Sequence, residues 1–460
     1  MTRMAHFHQI LKKDFFNRIT FLSKFLSDTD ILTAAESEKY YWRERIWTPI
    51  QTLWTFLIQV LNPDCSCRAA VAQILAEQAA IGELSKVSAD PTAYCQARMR
   101  LPLGLFKMAF QKIGQSLKAK IDADYLWNGR KVWLVDGSHC SMPDTPQLQD
   151  TFGQAPGQSK GCGFPVAKIV CLFCWASGAI IDTAIGAYRS SELTLWRHLW
   201  KNLNSGDIVL ADRFYCAYAD IVQLLEKGCD CVFRLQGARA STMNFHKGKY
   251  LGRDDRLITW HKPSQCPRSL SEDMYALLSD TLTIRVLRFH TRIPGFRSRT
   301  IMVATTLLDP KKYSLEMIAQ LYADRWIIEL RLRDIKTTLG MDVLRCKSSD
   351  VVCKEIYMHL VAYNLIRTLM WQASVEHNRP LHRLSFAGTV QRFDVAAPYI
   401  YLFFGTSKAV MIYKLLLKWI AGDILPYRPN RIEPRAVKRR PKGYDLLNRP
   451  RQQMRQELLK

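Results

Sequence analysis

Up to about residue 130, apolar positions recur with the 3.6-residue period of helices that bury one face, in 46–61, 68–78 and 105–121. Almost nothing in this stretch reads as strand. At residue 131 the pattern changes to short apolar runs bounded by turn residues, which predict strands at 131–135, 166–175 and 179–186, the last two joined by an Ala-Ser-Gly turn. A helix near 192–203, a strand at 208–211, a helix near 218–227 and a strand at 231–236 complete the order β-β-β-α-β-α-β. Residues 237–312 are β-rich, with 282–289 and 300–306 flanking a turn at Pro294-Gly295. A helix between an N-cap at Ser314 and a C′ glycine at Gly340 follows, then a strongly amphipathic helix at 355–376. No internal repeat at a fixed period interrupts this order.

Within the helix at 314–340, Tyr322, Arg325, Glu329 and Lys336 stand at offsets of three, four and seven. At about 100° per residue these four fall within an arc of roughly 60°. Leu321, Ile328, Leu332, Ile335 and Leu339 fill the adjoining arc, the face such a helix buries. One carboxylate is thus displayed in a row of groups suited to phosphate. Ordinary intrahelical pairing of Glu329 with Arg325 or Arg333 on a solvated face is the alternative reading.

Charge narrows the partners. The 460 residues, enough for two or three domains, hold 65 Lys plus Arg against 41 Asp plus Glu, a formal net charge of +24. Such an excess favours a polyanion, nucleic acid before an acidic membrane surface. A membrane span is not expected, because the most apolar stretch, near 399–424, is broken by Lys408, Lys414, Lys418 and Asp423. The chain opens without an apolar core and cleavage site, so the expected location is cytoplasmic. From residue 427 onward there are eleven basic and three acidic residues with four prolines, the composition of an extended basic tail.

Thirteen cysteines in no framework-like spacing point to reduced thiols. Cys171 and Cys174 form a CxxC inside an apolar run, and on a strand residues three apart face opposite ways, which disfavours a shared zinc ion. Cys65/Cys67 and Cys229/Cys231 lack the second half of a zinc site.

Two aspartates follow strands. Asp136 comes after Val-Trp-Leu-Val, and Asp212 after Ile-Val-Leu-Ala. In a sheet of this order the first and fourth strands lie side by side, so both carboxylates emerge at one sheet edge. The helix beyond the β-rich insert can bring Glu329 to the same place. Three converging carboxylates repel one another unless hard divalent cations with oxygen ligands hold them together. Turn formation before Gly137-Ser138, and pairing of Asp212 with Arg213, are the bland readings of the two aspartates.

These three acidic blocks together resemble the DDE transposases of bacterial insertion sequences, in the branch with a Tyr-x2-Arg-x3-Glu-x6-Lys signature and a β-strand insertion before the glutamate. The signature is complete as Tyr322, Arg325, Glu329 and Lys336; Asp136 stands in Val-Asp-Gly-Ser and Asp212 in Ala-Asp-Arg-Phe-Tyr. Seventy-five residues lie between the aspartates and 116 between Asp212 and Glu329, room enough for the insert. The likeness runs from the helical N-terminal region, with Ala93-Tyr94-Cys95-Gln96-Ala97-Arg98, to at least residue 370.

The resemblance implies an α/β fold: a ribonuclease-H-like mixed sheet interrupted by a β-rich insertion, with helical N- and C-terminal regions. The expected layout is a helical region at 1–130, the candidate for DNA-end recognition, and a first part of the catalytic core at 131–236. The insertion at 237–312, the second part of the core at 313–380, and C-terminal helices with the basic tail at 381–460 complete it. Asp136, Asp212 and Glu329 are implied to be the catalytic, metal-binding residues, holding two Mg²⁺ ions with Mn²⁺ as a substitute. Tyr322, Arg325 and Lys336, and similarly Arg213, are implied to contact DNA. An aromatic wedge from the insert is a family device for which Phe296 and Trp260 are candidates, an ordinary exposed or core aromatic being the simpler reading of both. In the basic N-terminal region, Trp42, Trp47 and Trp54 alternate with Arg43 and Arg45, although packing is the simpler role for Trp47 and Trp54.

The implied function is cut-and-paste transposition: binding of terminal inverted repeats, hydrolytic cleavage of the element's ends, and joining of 3′ ends to target DNA, by a homodimer in a synaptic complex. The rivals are a ribonuclease-H-like metal nuclease that cleaves without joining, and a non-catalytic DNA-binding derivative.

Overall fold

The computed structural model describes residues 26–43, 45–80, 88–121, 123–157, 159, 161–290, 300–403, 406–426 and 448–459. Phe296 and most of the basic tail lie outside them. In chain order the helical start comprises α1 (Asp28–Ser37), α2 (Pro49–Leu61), α3 (Cys67–Ala80), α4 (Thr92–Arg100) and α5 (Leu103–Lys118). Then come β1 (Val132–Ser141), α6 (Pro146–Phe152), β2 (Val166–Cys174), β3 (Ile180–Ala187), α7 (Glu192–Arg197), β4 (Ile208–Ala211), α8 (Tyr218–Glu226) and β5 (Asp230–Arg234). The β-rich stretch contributes α9 (Gly237–Thr242), β6 (Lys249–Gly252), β7 (Asp255–His261), α10 (Glu272–Ala276), β8 (Thr281–His290) and β9 (Thr300–Thr305). Helices α11 (Leu315–Ala323), α12 (Trp326–Arg333), α13 (Ser349–Glu376), α14 (Phe386–Leu402), α15 (Ser407–Gly422) and α16 (Arg451–Leu458) close the chain. No helix among the described residues is long and apolar enough to cross a membrane.

The chain forms two compact units, one of Met1–Lys120, Met142–Leu148 and Arg333–Pro426, the other of Ile121–Ser141, Gln149–Leu332 and Tyr427–Lys460. In the first, α13 is the central element. The sequence pattern predicts an amphipathic helix at 355–376, yet α13 starts at Ser349 and is buried on nearly every side, including Lys354, Glu355, His359, Asn364 and Arg367. Helices α2, α5, α14 and α15 all pack against it, which removes the solvent face. Its buried polar groups are correspondingly paired: Lys354 Nζ donates to the Met99 carbonyl at 2.9 Å, and the Glu355 carboxylate accepts the amides of Arg345 and Cys346.

The second unit is a mixed α/β assembly on one nine-stranded sheet, ordered β3-β2-β1-β4-β5-β9-β8-β7-β6. Strands β1, β4 and β5 are parallel and the remaining neighbours antiparallel. The strands of the 237–312 stretch do not stand apart; β9 pairs with β5 through Val232↔Thr305 and prolongs the same sheet. The first strand also differs from its expected end at residue 135. It continues through Asp136 to Ser141, because β2 pairs with it along that whole length, while β4 accompanies it only over Val132 to Leu134. Gly137-Ser138, which reads as a turn, is here extended backbone held by an antiparallel neighbour.

The helix expected across 314–340 begins and ends as the caps require: Ser314 Oγ accepts the Met317 amide at 3.2 Å, and Gly340 has φ of 74°. Between them it is broken. α11 stops at a turn through Asp324 and Arg325, α12 follows, and a π turn covers Asp334–Thr338. Its apolar face is buried as read, at Leu321, Ile328, Leu332, Ile335 and Leu339.

A buried ion pair sets the start of α11. Arg285, fully buried on β8, chelates Asp255 of β7 with Nε to Oδ1 at 2.9 Å and Nη2 to Oδ2 at 2.6 Å. Its Nη1 donates to the carbonyls of Leu307 and Tyr313, at 3.2 and 2.7 Å, and Tyr313 immediately precedes the Ser314 cap. Removing one partner strands the other charge in the interior. Arg285→Ala is therefore expected to lower unfolding stability by about 3–5 kcal/mol in a denaturant titration, while Arg285→Met combined with Asp255→Leu recovers most of the loss.

Candidate active site

The parallel register Leu134↔Leu210 sets the geometry of the site. Two residues further along each chain come Asp136, inside β1, and Asp212, just beyond the end of β4. Asp136 is half-buried, and one of its oxygens accepts the Gly137 amide at 2.8 Å. Burial pushes its carboxyl up to about 7; the Gly137 amide and then Arg325 oppose the rise, while Glu192 and Glu329 add to it. Asp212 carries a buried Oδ1 with no hydrogen-bond partner.

The broken helix brings the other signature residues to these aspartates. The Trp175 indole N–H donates to Asp324 at 3.1 Å in the turn, and buried Arg331 donates to the carbonyls of Cys174 and Trp175 at 3.1 and 3.0 Å. α12 is thus docked at the end of β2, with Arg325 and Glu329 on the side of Asp136. Arg325 Nη2 bonds Glu329 Oε1 at 2.9 Å, the intrahelical pair that sequence spacing allows. The guanidinium is largely buried and also feels Asp212, whereas Glu329 is 40 % exposed. Tyr322 is buried beside Arg325, and burial raises its hydroxyl well above the ordinary tyrosine value. Arg213 is exposed directly after Asp212. Lys336 lies in the π turn and belongs to the other compact unit.

The donor set is all oxygen, with one orphaned buried carboxylate oxygen and a second carboxyl whose charge is unfavourable without a counterion. That chemistry fits a hard divalent cation. The closed three-carboxylate arrangement expected from the sequence is not formed: among the described residues no three His, Cys, Asp or Glu side chains stand close enough to hold one ion. Glu329 is engaged by Arg325 instead.

Sequence reading overlooked Glu192, the first residue of α7. Its Oε1 accepts the Tyr215 hydroxyl at 2.6 Å, and a Cβ on Gly137 would lie 2.5 Å from that same oxygen, so the glycine beside Asp136 makes room for a fourth carboxylate. An acidic residue after a Ser191 cap looks like ordinary helix initiation, which concealed it. Phe214, 52 % exposed two residues beyond Asp212, was overlooked as well. Of the proposed aromatic wedges, Trp260 lies under the Arg239 guanidinium at 3.9 Å. Trp54 is core, and Trp47 packs on Tyr94 with centroids 5.1 Å apart.

An aspartate inside β1, an aspartate just past β4, a helix-borne glutamate and a neighbouring arginine thus stand on one mixed α/β unit. A family model described as "Transposase DDE domain" matches residues 127–365. The chain is 26% identical over 370 residues to "Transposase InsG for insertion sequence element IS4" of Escherichia coli (strain K12), covering 77% of this chain and 78% of that one. It is 27% identical over 193 residues to "Probable transposase for insertion sequence element IS5377" of Geobacillus stearothermophilus, covering 41% and 46%. A cryo-EM structure of a piggyBac transposase synaptic complex with hairpin DNA aligns with TM-score 0.45 and 8% identity over 90% of this chain and 86% of that chain, too distant to bear on function. The chain belongs to the DDE transposase domain family and is a transposase of the insertion-sequence type.

Because Asp136 binds its proton more tightly in the folded protein than in the unfolded chain, its contribution to stability is complete below the ordinary value of 3.8 and is lost as pH rises through about 7. Asp136→Asn is therefore expected to raise unfolding stability in EDTA at pH 8 by roughly 1–3 kcal/mol, with the gain vanishing near pH 4. Denaturant midpoints across pH check this; a pH-independent difference would assign the effect to packing.

Proposed function

We propose that this transposase binds the terminal inverted repeats of its element, cuts the DNA ends hydrolytically and joins the freed 3′ ends to target DNA. The single observation that supports the reading is the orphaned buried oxygen of Asp212, just past β4 beside the strand that carries Asp136, with Arg325 paired to Glu329 and also acting on both aspartates. The strand order β3-β2-β1-β4-β5, with β1, β4 and β5 parallel, supports a ribonuclease-H-like core that the strands of the 237–312 stretch extend.

Asp136, Asp212 and Glu329 are the proposed ligands of two Mg²⁺ ions, or Mn²⁺ in their place, which when bound would activate the attacking oxygen and stabilise the leaving oxygen. The remaining roles fall to the protein's own side chains. Arg325 has two competing anions available, the Glu329 carboxylate and an incoming phosphate. A phosphate that takes the guanidinium by its fork releases Glu329 toward the aspartates, so DNA binding completes the carboxylate set. Tyr322 positions Arg325 from beneath, and Arg213 and Lys336 add phosphate contacts. Glu192, fixed by the Tyr215 hydroxyl, adds its negative charge to the burial that raises the Asp136 carboxyl. Water attacks the end phosphodiester first, and the 3′-hydroxyl so freed then attacks the target in line.

The helical region at 1–130 is the proposed reader of the end sequence, and the basic tail adds sequence-independent phosphate contacts whose mark is a steep loss of affinity with salt. A homodimer that synapses two ends is the proposed assembly, working on DNA in the bacterial nucleoid.

An assay with the element's own ends, target DNA and Mg²⁺ tests the reading: joined product is expected. Cleavage without joining would assign a nuclease instead, and binding without cleavage a scaffold. Glu329→Gln is expected to keep end affinity within about threefold in a gel shift while cleavage falls at least about a hundredfold. Loss of the folded circular dichroism signal in that variant would make Glu329 a structural residue.

A further inference from the structure

Asp136 and Asp212 are held in place by different means. Asp136 lies inside β1, where pairing with Cys171 of β2 fixes its backbone. Asp212 has left the sheet. The last paired positions of β4 are Leu210, toward β1, and Ala211, toward β5; Asp212 then opens a tight turn over Arg213–Tyr215, in which the Tyr215 amide donates to the Asp212 carbonyl at 3.1 Å. Its Oδ1 is buried without a hydrogen-bond partner, so the place of this carboxylate depends on what anchors the turn.

Tyr215 is that anchor. The residue is 1% exposed, its ring meets Trp196 edge-on with centroids 6.2 Å apart, and its hydroxyl donates to Glu192 Oε1 at 2.6 Å, a short bond of the charge-assisted kind. Glu192 and Trp196 stand one turn apart on α7, so the helix grips the tyrosine at both ends of its ring system. Two glycines admit α7 to the sheet. A Cβ on Gly186 of β3 would lie 2.9 Å from Ser190 Oγ and 3.1 Å from a Leu195 methyl carbon, and one on Gly137 of β1 would lie 2.5 Å from Glu192 Oε1 and 2.6 Å from its carboxyl carbon. The Glu192 carboxylate therefore rests on the backbone beside Asp136. At the other end of α7, Arg197 donates from Nε to buried Asp220 at 2.7 Å and from Nη1 to the Ser269 carbonyl at 2.6 Å, which keeps the helix from shifting.

We propose that Glu192 is a positioning residue for the transposase reaction: through Tyr215 it ties the turn that carries Asp212 to the strand that carries Asp136, and so sets the arrangement in which the two carboxylates receive a divalent cation. This role rests on the metal-ion reading of the two aspartates. Glu192 acts through Tyr215 and is not itself a ligand. A turn released from α7 would have to be ordered when the cation binds, and that ordering would be subtracted from affinity.

Titration of the full chain with Mn²⁺ alone, followed by the electron paramagnetic resonance signal of the free ion, tests the role without DNA and without turnover. The relevant sites are those that Asp212→Asn removes. Glu192→Ala and Tyr215→Phe are each expected to weaken Mn²⁺ binding there by about tenfold, the scale on which groups standing behind a metal ligand act. Because both substitutions break one bond, the double variant is expected to lose about the same tenfold rather than a hundredfold. Glu192→Gln keeps an oxygen that can accept the Tyr215 hydroxyl and is expected to stay within about threefold of the unsubstituted chain.

Losses that multiply in the double variant, or a Glu192→Gln chain as weak as Glu192→Ala, would overturn the proposal by showing that Glu192 acts through its own charge. So would loss of the folded circular dichroism signal in Glu192→Gln and Tyr215→Phe, which would make the contact structural. An Asp212-dependent site indifferent to Glu192→Ala and Tyr215→Phe would overturn this role alone. Absence of any Mn²⁺ site that depends on Asp212 would overturn the metal-ion reading and this role with it.

Discussion

The parallel pairing of β1 with β4 is the constraint on which the functional half of this protein rests. Hydrogen bonds across Val132 to Leu134 and Ile208 to Leu210 fix the register beyond which Asp136 and Asp212 follow on the two chains. The buried strands on which they stand supply the rigidity, with Trp133 anchored through its indole N–H to Asp207 at 2.7 Å at the base of β4. A slip of one residue in this register would turn one aspartate to the opposite face of the sheet.

Electrostatic satisfaction is divided between two kinds of group. Arg285 and Asp255 neutralise each other completely in the interior, and they fix the chain where it enters α11. Arg325 and Glu329 are a looser pair, one member largely buried and the other substantially open, so a stronger anion can compete for the guanidinium. Asp212 Oδ1 is orphaned, and half-buried Asp136 is only partly compensated by the Gly137 amide and Arg325, the kind of local conflict that a structural site would have resolved. Stability and function draw on the same charged residue types and differ in how fully each is paired.

The first unit shows the same economy in a different chemistry. A long buried helix, α13, organises the unit and accepts ions into its core because each finds a backbone or side-chain partner. Arg98 is the exception, a buried cation whose Nε has no hydrogen-bond partner.

Much of the fold was legible because local pattern and local structure coincide. Turn residues and short apolar runs located the central strands to within a few residues, and caps at Ser314 and Gly340 bracketed the signature segment. The family signature, with Asp136 and Asp212 after apolar runs, was likewise visible in the residues alone. What sequence could not decide were the outcomes of long-range pairing. Whether β1 stops at Asp136 or runs on depends on a partner strand some thirty residues away, and Gly137-Ser138 looks like a turn until β2 claims it. The solvent face expected on 355–376 disappears because helices remote in sequence cover it. Glu192 becomes a fourth carboxylate only because Gly137, 55 positions earlier, lacks a side chain. Composition and spacing determined which chemistry this chain carries; tertiary structure alone decided which of those groups meet, since proximity across the sheet is written in pairing energies distributed over many residues rather than in any local motif.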